Sequence, residues 1–242
     1  MQVSGENKIK PLKADLHIHS VLSACSSLDM SPKNIVEKAL EKKLDIIAVA
    51  DHNTSYNCRT LIKIAEKKGI IAIPAMELTT AEEFHVVCLF KKISHAEELS
   101  EKIYNKLLPF EIDENKMGYQ LIVDESDNVI KFEKRILNQA SYLGIDDVIE
   151  YMEKVDGIVF FSHADKPYYS ITGTLGFIPE KYKNMIFETI RDDLNNVVKK
   201  IIKNSDAHLI DDIGQRYFFI NSEKNTDSIF SALNKGEFYY DA

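Results

Sequence analysis

Three short apolar runs in this chain lead into residues able to bind a cation. Ile46-Ile47-Ala48-Val49 is followed by Asp51-His52, Ile70-Ile71-Ala72-Ile73 by Glu77, and Ile158-Val159-Phe160-Phe161 by His163. Continuous apolar runs of this length suit strands buried on both faces, as in a parallel sheet joined by crossover helices. When such strands close into a barrel, their exits share one face, and residues distant in sequence meet there.

Two tighter groups add to this pattern. Side chains two apart on a strand point the same way, so His17 and His19 in Asp15-Leu16-His17-Ile18-His19 can grip one ion together. Asp206 and His208 repeat the spacing near the other end, and a carboxylate beside an imidazole suits zinc, manganese or iron. With Glu83-Phe84-His85 counted, only His95 of the seven histidines lies outside such segments, and it reads as a structural or surface side chain. His85 precedes its apolar run, which puts it at a strand start unless that strand runs opposite to its neighbours or belongs to a distorted closure.

The intervening sequence predicts the rest of an α/β chain. Residues 13–19 and 45–50 read as strands, with a helix over 34–43 opened by Ser31-Pro32 and another over 59–68 stopped by Gly69. A single apolar run over 70–76 and a strand over 84–90 follow. Ser94 with Glu97 has the spacing of a capping box opening a helix that reaches about residue 107. Segments 121–123 and 129–132 suggest a hairpin, and 133–143 a helix. Strands over 157–162, 197–204 and 217–221 and a helix over 227–235 ending at Gly236 complete the expectation. The reading is one domain over 1–242, with a cap insertion at about 91–155.

Composition narrows the partners. The formal charge of −8 and pI near 5.4 argue against a broadly basic nucleic-acid footprint and make long duplex DNA an unexpected partner. Cys25, Cys58 and Cys88 have no Cys-x-x-Cys spacing, so neither a disulfide framework nor a zinc ribbon is indicated, and the cytoplasm is the expected compartment. Cys58 and Cys88 read as small apolar residues. The polar stretch from Met1 to Lys10 lacks a signal-peptide core, and no apolar stretch is long enough for a membrane span.

Taken together, Asp-Leu-His-Ile-His-Ser, Ala-Asp-His, Glu77, His85, Ser-His-Ala-Asp and Ser-Asp-Ala-His resemble the PHP family, the polymerase and histidinol phosphatase domain. The resemblance runs from about Lys13 through nearly the whole chain. It implies a distorted (β/α)7 barrel, TIM-barrel-like, holding two or three divalent ions (Zn, Mn or Fe). Carried onto this sequence, it makes His17, His19, Glu77 and Asp206 ligands of a first metal, with His52 and His208 beside a second and His85 and His163 completing a third. Glu77 would bridge, because a carboxylate has two oxygens. Where the family commonly places a His or Asp after the first pair, this chain has Ala24 and Cys25. Cys25 supplying a thiolate, Asp29 reaching in from the loop, or a weakly held ion are the alternatives.

The chemistry implied is metal-assisted hydrolysis of a phosphate ester by a metal-bridged hydroxide, with Glu77, Asp206 and His208 as catalytic residues. His208 or Asp206 would move a proton to the leaving alkoxide. The expected substrate is a small phosphorylated metabolite or nucleotide. Lys166, Arg191 and Arg216 are candidates for its phosphate, and Tyr168-Tyr169 for stacking a ring or simply packing. Asp15, Asp51 and Asp165 would orient imidazoles or cap turns. The wider amidohydrolase chemistry of C–N or C–O bonds, and a catalytically silent metal-binding module, are the alternatives.

Overall fold

A computed structural model describes residues 10–191 and 194–241, so the polar opening stretch lies outside them up to residue 9. In chain order the strands and helices are β1 (Leu12–Ile18), α1 (Pro32–Glu41), β2 (Ile46–Val49), α2 (Cys58–Lys67), β3 (Ile71–Ala72), β4 (Ala75–Thr79) and β5 (His85–Leu89). There follow α3 (Ile93–Tyr104), α4 (Glu114–Met117), β6 (Leu121–Val123), β7 (Val129–Phe132), α5 (Ile145–Lys154), β8 (Ile158–Phe161) and α6 (Ile171–Leu175). The chain finishes with β9 (Ile186–Glu188), β10 (Lys200–Ile202), β11 (Phe218–Ile220), α7 (Thr226–Lys235) and β12 (Phe238–Tyr239).

Two five-stranded sheets, ordered β12-β11-β1-β2-β3 and β10-β9-β8-β5-β4, curve into a nearly closed barrel. Single parallel bridges span the two seams, Ile18 to Ala207 and His52 to Glu77. The circuit through them runs β1, β2, β4, β5, β8, β9, β10, the seven-stranded α/β barrel that the family resemblance implies. β5 is antiparallel to both β4 and β8, and Thr79 pairs with His85. The start of β5 therefore lies at the same end as the exit of β4, which brings His85 to the ligand-bearing face.

Alternation along the strands divides the core. Ala14, Leu16, Ile46, Ala48, Val87, Leu89 and Phe160 form one buried cluster. The alternate residues Val86, Cys88 and Phe161 pack with Leu99 and Ile103 of α3 and Val148 and Met152 of α5. On the other flank, Ile47 and Val49 pack with Ile35 and Val36 of α1 and Leu61 and Ala65 of α2. Each buried Val, Leu, Ile, Phe or Met among these contributes about 1.5–3 kcal/mol by leaving water, which holds the helices on the barrel.

Several local expectations differ. The apolar run over 70–76 is two strands in different sheets, because Pro74 has no N–H to continue a ladder. Ser94 does not cap α3; the helix starts at Ile93 after Lys92 in extended conformation, without a side-chain cap. Residues 133–143 are not helical. Their polar groups are taken elsewhere: Glu133 accepts from Tyr104 Oη and Arg135 N, and the carbonyls of Leu137 and Gln139 receive Asn53 Nδ2 at 2.7 Å each. The helix instead begins at Ile145, where Glu82 takes the Ile145 N–H and Asp147 takes the Gly144 N–H. Among the described residues no helix is long and apolar enough to cross a membrane.

Candidate metal centre

Glu77, in the middle of β4, is buried with five imidazoles around it. Its Oε1 lies 3.2 Å from His17 Nε2, 3.2 Å from His85 Nδ1 and 3.3 Å from His163 Nε2. Its Oε2 lies 3.4 Å from His19 Nε2 and 3.2 Å from His52 Nδ1. Asp206 Oδ1 sits 3.5 Å from His17 Nε2 and 3.4 Å from His19 Nε2, and the His17 and His19 Nε2 atoms are 3.2 Å apart. His208 stacks on His19 with ring centroids 4.3 Å apart. All eight residues expected as ligands therefore meet at one end of the barrel.

The donor set fits divalent metal. Two atoms bound to one tetrahedral ion at about 2.0–2.3 Å lie roughly 3.3–3.8 Å apart, close to the separations found here. His52 Nδ1, His85 Nδ1, Glu77 Oε1 and Asp206 Oδ1 are buried without a hydrogen-bond partner, a costly condition that coordination would relieve. Close triads of candidate ligands are His19-His52-His208, His17-His19-Glu77 and His52-Glu77-His85.

Hydrogen bonds behind the rings set which nitrogen faces the centre. Glu188 Oε2 accepts from His17 Nδ1 at 2.9 Å, leaving the Nε2 lone pair pointing inward. Ser23 Oγ donates to Asp51 at 2.7 Å, so its lone pair takes the Nδ1–H of His19 at 2.9 Å. His208 Nδ1 donates to the Asp206 carbonyl at 2.8 Å. Asp51 thus orients His19 through Ser23. Asp15 and Asp165, by contrast, orient no ring: Asp15 accepts from the backbone of Ser205 and Gly214, and Asp165 from that of Ile190 and Arg191. Both anchor loops, the turn-capping alternative.

Charges in the cluster shift strongly. Burial favours protonation of Glu77, but His85, His17 and His163 outweigh it and hold the carboxyl well below the usual range. Burial opposes a charged His52, yet Cys25 and the Glu77 carboxylate beside it push it up to about 10. For His85 burial wins and the pKa falls. Asp206 is held far down by His17 and His19 despite its burial.

The centre opens into a cavity of about 510 Å³ lined by Cys25, Asn138, Lys166, Tyr168 and Tyr169 as well as ligand-type residues. Cys25 Sγ lies 3.4 Å from His52 Nε2, whereas Asp29 is exposed and meets none of these groups. Lys166 Nζ is 2.6 Å from Asp206 Oδ2. Arg191 and Arg216 do not line this cavity; Arg216 borders a separate one with Lys203 and Tyr217. Tyr169 stacks on His85 at 5.0 Å, and Tyr168 is 76% exposed at the mouth. His163, Tyr169 and Asp206 all have positive φ (31°, 53° and 52°), strain of about 1–3 kcal/mol each that clusters at functional sites. Glu188 is the residue that the sequence reading missed. Its signal was present, since Ile186-Phe187-Glu188 is another apolar run ending on a carboxylate.

Known proteins share this fold. The lesion-specific endonuclease of Pyrococcus furiosus superposes with a TM-score of 0.67 at 18% identity, over 93% of this chain and 56% of that one. A complex of Endonuclease Q with a 27-mer duplex substrate, carrying an abasic lesion at the active site, gives the same TM-score over 57% of its chain. This chain therefore spans little more than half the length of either. A two-domain Bacteroides vulgatus protein containing a predicted PHP-like metal-dependent phosphoesterase matches with a TM-score of 0.57 at 19% identity, covering 99% of this chain and 67% of that one. A 42-residue stretch, 17% of the chain, is 45% identical to an uncharacterized protein of Methanocaldococcus jannaschii and covers 16% of it.

The endonuclease complex corrects the expectation of a small phosphorylated partner and no long duplex. That protein takes a duplex substrate, and overall charge speaks to long-range attraction rather than to what a local site accepts. The PHP domain matches residues 15–205, across the strands that carry the centre and up to the residue before Asp206. On that match, this chain belongs to the PHP domain family.

Proposed function

We propose that this chain is a metal-dependent phosphoesterase that cleaves a phosphodiester of a nucleic-acid strand brought to the mouth of the barrel. The observation that carries the reading is Glu77, a buried carboxylate facing five imidazole nitrogens at the floor of an open cavity. His17, His19, His52, Glu77, His85, His163, Asp206 and His208 are the proposed ligands of two or three ions, with Glu77 shared between them and Cys25 at the edge. Divalent ions bound there would supply Lewis acidity and an ionised water at neutral pH.

The remaining roles fall to groups along the cavity. Lys166 offers the nearest cation to a phosphate oxygen. His208, partly exposed with its Nδ1 committed to a carbonyl, would pass a proton to the leaving oxygen from Nε2 only where that nitrogen is not holding an ion; Asp206, which stays ionised, is the poorer donor. Tyr168 and Tyr169 present ring faces on which a base can stack. The segment between α3 and α5 carries Asn138 to the cavity and would act as a cap. Three unpaired thiols suit a reducing compartment such as the cytoplasm.

Labelled single-stranded and duplex oligonucleotides, with and without an abasic site, test this with zinc-, manganese- or iron-loaded protein. Chelator-sensitive strand cleavage is expected. Intact strands under every metal would overturn the reading, and hydrolysis of amides or lactones instead would move the activity to C–N or C–O bonds.

A further inference from the structure

One buried carboxylate stands behind the centre without facing its cavity. Glu188, the last residue of β9, is 1% exposed, and both of its carboxylate oxygens are committed. Oε2 takes His17 Nδ1 at 2.9 Å and Asn204 Nδ2 at 2.9 Å; Oε1 takes the backbone N–H of His163 at 2.9 Å. Asn204 in turn accepts the Leu16 N–H at 2.8 Å. The side chain therefore ties together the exits of β1, β8 and β10. His163 is held at a φ of 31°, a backbone conformation that needs outside support in a residue with a Cβ.

The two imidazoles reached in this way share a side of Glu77. His17 Nε2 and His163 Nε2 lie 3.2 and 3.3 Å from Oε1, and their rings stack at 6.1 Å with planes 26° apart. His19 and His208 are pinned independently, through Ser23 and through the Asp206 carbonyl. We propose that Glu188 is a positioning residue that sets His17 and His163 jointly for metal binding on the Oε1 side of Glu77, while the His19-His52-His208 side loads without it. The inference rests on the metal-centre reading above and adds an asymmetry to it: two groups of ligands with separate supports.

The substituted side chain is expected to matter in a graded way. In Glu188→Gln the amide oxygen satisfies the two donors His17 and Asn204, and the NH₂ then faces the His163 N–H, so one tie is kept and one lost. Glu188→Ala loses both. Zinc and manganese titrations of the metal-free full chain against a chelating indicator, with thermal melts of the same metal-free samples, read this out. One class of sites should weaken by about tenfold to a hundredfold in Glu188→Ala, and by less in Glu188→Gln, while the other class keeps wild-type affinity.

A purely structural Glu188 would lower the metal-free melting temperature and leave both affinities unchanged, which would overturn the proposal. Equal weakening of both classes in Glu188→Gln would overturn it as well. Should Glu188→Ala fail to fold, Glu188→Gln alone decides, being of the same size and shape. Wild-type protein that binds no metal would instead defeat the metal-centre reading, a result separate from either outcome.

Discussion

Lys166 Nζ lies 2.6 Å from Oδ2 of Asp206, while Oδ1 of the same carboxylate faces His17 and His19 at 3.5 and 3.4 Å. One oxygen is thus turned to the cation at the cavity wall and the other to the ligand cluster. A charged hydrogen bond of this kind contributes about 1.5–3 kcal/mol, and a phosphate oxygen competing for Lys166 would draw on the same interaction. Lys166→Ala should raise KM for a phosphodiester on the order of tenfold to a hundredfold with bound metal unchanged, as checked by steady-state kinetics and metal analysis.

Glu77→Gln removes the central negative charge and leaves the surrounding imidazoles facing an amide. Bound metal should fall and turnover should drop at least a hundredfold on the order of magnitude set by other metal-site losses. The far-ultraviolet circular dichroism should stay that of the parent. Undiminished turnover would remove Glu77 from a bridging role.

Metal must displace protons here. With its pKa raised to about 10, His52 is protonated in the metal-free protein at neutral pH, and a ligand imidazole must be neutral. Metal affinity should therefore rise with pH between about 6 and 8, by about tenfold per unit for each proton released. Calorimetric titrations in buffers of different ionisation enthalpy measure that release.

Cys25 offers a second pH readout. Burial raises a thiol, but hydrogen bonds from His208 and His52 overcome it and bring this one down to about 5. The metal-free protein should react with iodoacetamide at a rate that falls only below about pH 5, whereas an ordinary thiol already slows below about 8.5. Because the folded pKa lies below the ordinary 9.0, the associated stability is complete above that value and is lost as pH falls toward about 5. Saturating zinc should protect Cys25 if its sulfur joins the ion.

Asn53 ties the segment bearing Asn138 to the barrel through the Leu137 and Gln139 carbonyls, and its Oδ1 takes the Thr79 N–H at 3.1 Å. Asn53→Ala should cost about 2–4 kcal/mol in urea denaturation by leaving these buried groups unpaired.

Much of this fold was legible because its strands are buried on both faces, and runs such as Ile46–Val49 and Ile158–Phe161 carry that fact in their composition. What sequence patterning could not supply was direction and company. His85 looked misplaced until β5 proved antiparallel, since periodicity carries no information on strand direction. The helix expected over 133–143 failed because Glu133 and Gln139, good helix formers, are committed to long-range hydrogen bonds. Glu188 escaped notice because its strand is three residues long. The family resemblance supplied the grouping of ligands, and residue patterns alone did not assign them to ions.

The barrel's two seams have a further meaning. Each is crossed by a single bridge, and each bridge lies in a segment bearing ligands: Ile18 to Ala207 between the His17-His19 and Asp206-His208 pairs, and His52 to Glu77 directly. Ions held by these residues would act as rivets across the weakest joints of the wall. Hydrogen exchange should then be fastest at these joints in the metal-free chain and slow on loading. A lost ligand would be felt mechanically, as a wall that gapes, before it is felt in turnover.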